Sequence, residues 1–170
     1  MKYLLLILPV ILLTTCAKAP RLTFTGATVP PGAESFSVEN FINDAADGPA
    51  DLGIRFTEEL REYFQRNTPL NTVVGAGDLQ FSGVISRYEL RPVSAGATAT
   101  QGAQLQRLTI AVKYDYIVVP NDDLSIENGS ASQFADFPAT QNLADVEDEL
   151  IDEIFEQIIF DIFNRTLADW

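Results

Sequence analysis

Between Ala139 and Trp170 the chain reads ATQNLADVEDELIDEIFEQIIFDIFNRTLADW. Val146, Leu150, Ile154, Ile158 and Ile162 recur every fourth position, and Ile151, Phe155 and Ile159 flank them. Side chains four apart stack on one side of a helix, so this spacing predicts a long helix whose apolar side is too wide for a narrow seam. It needs a broad surface to lie on, and a β-sheet is the simplest one. The acids early in the segment suit the positive end of the helix dipole. Glu147, Asp148, Glu149, Asp152, Glu153 and Glu156 spread along the polar side without a glycine-turned ligand loop. They read as a solvated face rather than a metal site or a catalytic carboxylate pair.

The rest of the chain supplies the sheet. In FTGATVPPGAESFSVENF, Pro30-Pro31-Gly32 marks a turn, and Phe36 and Val38 then alternate with Ser35, Ser37 and Glu39 as a first strand. Asp51 is a suitable N-cap for a helix carrying Leu52, Phe56, Leu60, Tyr63 and Phe64, which ends before Pro69. Two long strands follow, DLQFSGVISRYELRPV and LQRLTIAVKYDYIVV, joined by SAGATATQGAQ, whose small and polar residues predict a mobile hairpin loop. Leu108, Ile110, Val112, Tyr114 and Tyr116 share one face of the second. In the first, apolar residues sit at Leu79, Phe81 and Ile85 and then change parity at Tyr88 and Leu90, which predicts a bulge near Gly83. A further strand includes Phe134. The expected fold is α+β, in the order strand, helix, strands, helix, with an antiparallel or mixed sheet of about four to five strands and both helices on one face. A membrane barrel would need at least eight amphipathic strands, more than this chain holds. Asn128-Gly129-Ser130 reads as a turn rather than a glycosylation signal.

The N-terminus is a separate matter. Lys2 and the apolar run Tyr3 to Leu13 form a secretory signal too short to span a bilayer comfortably. It ends in Leu13-Thr14-Thr15-Cys16, which resembles a bacterial lipobox, and Cys16 is the only cysteine. A lipidated Cys16 explains its position, since several acyl chains at about 0.8 kcal/mol per buried methylene anchor a protein firmly. Residues 1–15 are then signal, 16–22 a lipidated tether and 23–170 a single domain. With no second cysteine, the core must hold the fold without an intramolecular disulfide. Ala17 and the lack of acids directly after Cys16 point to the periplasmic side of the outer membrane.

Removing Lys2 with the signal leaves 10 of the 11 basic residues against 24 acidic ones, so the formal charge moves from -13 to -14. That argues against nucleic acid as a partner. Histidine is absent, which removes the Ser-His-Asp and Cys-His nucleophile arrangements and the commonest zinc ligand. No phosphate-cradling glycine loop and no metal site are evident. The expectation is a protein that is not an enzyme and takes no cofactor beyond the lipid on Cys16.

The lipobox together with FTGATVPPGAESFSVENF, GDLQFSGVISRYELRPV, LQRLTIAVKYDY and FADFPATQNLADVEDELIDEIFEQIIFDIFNR resembles the LptE lipoproteins of Bacteroidota over nearly all the chain from Phe24 onward. That resemblance implies an outer-membrane lipoprotein that partners the LptD barrel as a plug or assembly factor and assists lipopolysaccharide transport to the cell surface. The residues alone also suit an activator lipoprotein docking on a cell-wall synthase in the periplasm.

Basic residues cluster mid-chain. Arg87 and Arg91 share a face opposite Tyr88 and Leu90, and Arg107 and Lys113 lie opposite Leu108, Ile110 and Val112. If the two strands pair with their apolar faces under the helices, all four cations emerge on the uncovered face as a candidate lipopolysaccharide contact. The alternative is that Glu89 opposes Arg107 in a cross-strand ion pair and the others are ordinary solvated residues.

Overall fold

A computed structural model describes residues 28–94 and 104–167. Signal, Cys16 and tether lie outside the described residues, as does the 95–103 loop. The strands are β1 (Ser35–Val38), β2 (Ile42–Asn43), β3 (Asn71–Thr72), β4 (Leu79–Ser94), β5 (Gln104–Val118) and β6 (Ile126–Pro138). The helices are α1 (Leu52–Asn67) and α2 (Leu143–Leu167). The sheet order is β3-β1-β4-β5-β6, and β2 pairs with β4 beyond β1. β4, β5 and β6 are antiparallel, whereas β1 and β2 run parallel to β4. The sheet is therefore mixed, and the two-residue strands β2 and β3, too short to show a sequence period, raise the strand count to six.

Both helices cover one face. α2 packs mainly on β6 and β5, and α1 packs on β1 to β4 and on α2. Parity explains the sheet side: Leu79, Phe81, Ile85, Leu108, Ile110, Val112, Tyr116 and Val118 are fully buried. Aromatic pairs join the layers, with Phe64 of α1 edge-on to Phe81 of β4 at 4.7 Å, and Phe56 of α1 edge-on to Phe155 of α2 at 5.0 Å. Such pairs contribute about 0.5–1.5 kcal/mol each beyond their burial. Arg55 ties the helices together from α1 by reaching Asp148 and Asp152 of α2, each at 2.7 Å.

The caps differ at the two ends of α1. Asp51 precedes the helix as expected, but its side chain makes no capping bond. Thr68 stops the helix before Pro69, its amide and hydroxyl both donating to the Phe64 carbonyl. Near the helix start, a methyl on Gly53 would lie 2.2 Å from the Phe41 carbonyl oxygen, so this glycine is what lets α1 lie against the β2 segment.

The bulge in β4 falls between Ile85 and Arg87, three residues beyond the expected place. Ser86 is the extra residue. Gly83 has a different role: a Cβ there would stand 2.6 Å from the Phe41 ring and 2.3 Å from the Lys113 carbonyl, so its missing side chain makes room for Phe41. The parity change allowed any shift between Ile85 and Tyr88, and the glycine suggested the wrong one.

Candidate functional site

The uncovered face of β4, β5 and β6 carries all four singled-out cations. Arg91 stands directly opposite Arg107, and Asp136 of β6 stands on the other side of Arg107. Two like charges across a ladder repel, and each is met by an acid. Arg107 donates from Nε and Nη2 to Asp136 at 2.7 and 2.8 Å. This fork raises the arginine pKa and holds the Asp136 carboxyl below its ordinary range. Arg91 reaches Glu89 at 2.7 Å. The alternative Glu89–Arg107 pairing does not form, because the register sets Glu89 against Thr109 and Arg107 against Arg91.

Arg87 and Lys113 differ from that pair. Both are exposed, and among the described residues neither has an ion-pair partner within 4 Å. Arg87 pairs in register with Ala111, two residues from Lys113 on the same face, so the two are diagonal neighbours within reach of one ligand for long side chains. The structure thus divides the four cations into a neutralised pair toward the hairpin tip and an uncompensated pair nearer the middle of the sheet.

Arg87 also borders a cleft of about 970 Å³ where the starts of α1 and α2 approach β4. Leu90 and Leu143 give it an apolar part, and Asp47, Glu89 and Glu147 an acidic one. Tyr88 donates its hydroxyl to Glu147 at 2.5 Å, closing the sheet against α2. Burial and that neighbouring carboxylate push the phenol pKa up.

Sequence reasoning missed Phe134 and Asp136 as partners of Arg107, whose guanidinium lies 3.6 Å from the Phe134 ring centroid. Their alternation with Ala135 and Phe137 was the available signal, but it needed the β5–β6 register. Among the described residues, no group of three or more Cys, Asp or Glu side chains is placed to hold a metal ion, and no helix is long and apolar enough to cross a membrane.

The family model for lipopolysaccharide assembly, LptE, matches residues 33–166. The chain belongs to the LptE family. That match runs from just before β1 into the last turn of α2 and places the protein in a family of lipopolysaccharide assembly. No curated protein sequence matches. Solved structures agree on the fold. An uncharacterized lipoprotein B from Nitrosomonas europaea is similar at 14% identity, TM-score 0.52, over 80% of this chain and 82% of that one. A hypothetical protein from Chlamydia trachomatis is similar at 8% identity, TM-score 0.51, over 81% of this chain and 99% of that one. A putative neuraminyllactose-binding hemagglutinin homolog from Helicobacter pylori reaches 7% identity and TM-score 0.52 over 81% and 85%. Names this varied on one architecture leave the function to be argued from the family and the site.

Proposed function

We propose that this protein is anchored through a lipid on Cys16 at the periplasmic side of the outer membrane, pairs with the LptD barrel as its plug or assembly factor, and assists lipopolysaccharide delivery to the cell surface. The observation that carries this reading is the LptE family match across residues 33–166. The lipobox-like Leu13-Thr14-Thr15-Cys16 supports the anchor. No observation favours the alternative of docking on a cell-wall synthase.

Within this function, Arg87 and Lys113 are the lipopolysaccharide contact. A phosphate needs cations that are not already committed. Arg91 and Arg107 are held by Glu89 and Asp136, whereas Arg87 and Lys113 keep their hydrogen-bonding capacity. Arg87 borders a cleft with Leu90 and Leu143 in its wall, a combination suited to an amphiphile that has phosphate beside acyl chains.

The test has two arms. Affinity purification of the detergent-solubilised protein should recover a large outer-membrane barrel, and recovery of cell-wall enzymes alone refutes the partnership. Arg87→Glu and Lys113→Glu, singly and together, should weaken lipopolysaccharide binding while Arg91→Glu and Arg107→Glu weaken it less. Binding that survives the double replacement in a folded protein removes this contact.

A further inference from the structure

The strand β6 is an edge of the sheet with Ile126 at one end and Pro138 at the other. Its pairing with β5 decides which main-chain groups face outward. The Ala139 amide donates to the Gln104 carbonyl, so this pair is hydrogen-bonded, and in an antiparallel ladder every second pair follows suit. Residues Ser130, Ser132, Phe134, Asp136 and Pro138 therefore fall between those pairs and turn their amides and carbonyls to the free edge. Two independent features agree with that parity. The outward Ser130 carbonyl accepts from Arg165 Nη1 at 3.0 Å, and the outward position Pro138 has no amide to leave unpaired.

Between those ends, Ser132, Phe134 and Asp136 have no main-chain partner on the outer side among the described residues. Natural edges of this length are usually guarded by a lysine, an internal proline or a bulge. β6 has a bulge only at its start, between Ile126 and Gly129, and the stretch from Ser132 to Asp136 has no such guard: its one charge, Asp136, is held by Arg107, and at its centre stands Phe134, 45% exposed.

We propose that this edge pairs antiparallel with the same edge of a second copy, about a two-fold axis at Phe134. The ends select this occupant and register. With Phe134 opposite its mate, Ser132 faces the mate's Asp136 and both contribute outward amides and carbonyls. Ser130 then faces the mate's Pro138, so the carbonyl already taken by Arg165 meets the residue that has no amide to offer. An unrelated strand would have no reason to match those two ends. The same axis accounts for a second exposed aromatic. Gln133 donates to Asp161 at 2.6 Å, which fixes that level of α2 beside the centre of β6, and the neighbouring Phe160 is 52% exposed. Joining two edges about 4.8 Å apart brings the two copies of α2 side by side, with Phe160 at the rim of their seam. Both chains are strongly acidic, so salt should favour the pair. This inference is independent of the barrel partnership and of the phosphate contact.

The mature chain carrying Cys16→Ala tests it without lipid and without a native thiol. Sedimentation equilibrium should show a monomer and dimer in exchange, with dimer rising with protein and with salt, and Phe134→Lys should weaken it at least about tenfold with unchanged circular dichroism. Phe134→Cys in that background places two thiols on the axis, with Cα atoms about 5.5 Å apart, inside disulfide range. Mild oxidation should give a covalent dimer, while Thr109→Cys, one strand inward on the same face, should not. A chain that stays monomeric at all concentrations, or a Phe134→Cys protein that crosslinks no better than Thr109→Cys, overturns the proposal. So does a dimer that Phe134→Lys leaves intact.

Discussion

Glu59→Gln should stabilise the domain above neutral pH. Glu59 lies in the groove between α1 and α2 with Glu62, Asp152 and Glu156, and burial first, then Asp152, raises its pKa from 4.5 to about 7. Arg55 opposes the shift but is committed to Asp148 and Asp152. A carboxyl whose folded pKa exceeds its unfolded one is bound to a proton more tightly in the folded state. Its cost is therefore absent below about pH 4.5, grows as pH rises, and is complete above about pH 7. At roughly 1.4 kcal/mol per pH unit the full cost is near 3 kcal/mol, and solvent in the open groove reduces it to about 1–2 kcal/mol. Glutamine keeps the shape without the charge. Urea unfolding of the Cys16→Ala mature chain at pH 8 should show Glu59→Gln more stable by that amount. At pH 5 the difference should shrink to about a quarter, still above the sequence pI of 4.2. A variant equal to or weaker than wild type at pH 8, or a gain that ignores pH, refutes the reasoning and makes the Arg55 attraction the larger effect.

Gly53→Ala should destabilise by about 1–2 kcal/mol in the same urea assay, because the new methyl at 2.2 Å from the Phe41 carbonyl outweighs the roughly 1 kcal/mol that alanine adds to a helix. Tyr116→Phe should be neutral or stabilise by up to about 1 kcal/mol, since the Tyr116 hydroxyl is buried without a partner while its ring stacks on Phe81 at 4.8 Å. Cys16→Ala should move the protein from the membrane fraction to the soluble one and abolish fatty-acid labelling. A membrane-bound, unlabelled wild-type protein would sink the anchor.

Much of the fold was legible because its strongest patterns are local. The four-residue recurrence from Val146 to Ile162 and the alternation from Leu108 to Tyr116 record which side of each element is buried, and those sides meet. The strands β2 and β3 were not legible, since two residues have no period and their pairing is decided by where α1 and its loops place them. The basic face was legible as a face but not as a charge pattern. Parity put Arg87, Arg91, Arg107 and Lys113 on one side correctly. Which of them stay unpaired depended on a one-residue slip at Ser86 and on the Asp136 of a third strand, neither of which side-chain type alone reveals.

The charge of the chain poses a difficulty that the layering resolves. A protein at -13 should repel a phosphate at long range, yet most of the densest run of acids, Asp148 to Glu156, lies on α2, on the far side of the sheet from Arg87 and Lys113. A helix layer stands about 10 Å from the sheet beneath it, and at physiological salt the Debye length is about 8 Å. The acids on the outer side of α2 are therefore largely screened from the opposite face, and the cation pair would govern the proposed phosphate contact. Lowering the salt lengthens the screening distance and lets the α2 acids reach through. Phosphate contacts on a neutral protein tighten steadily as salt falls, whereas here the growing repulsion offsets the growing attraction. Lipopolysaccharide binding to this protein should thus change little between about 50 and 200 mM salt, and replacing Glu153 and Glu156 by Gln should restore the ordinary tightening at low salt. A steep salt response in the wild-type chain would show that the acids of α2 do not act across the sheet.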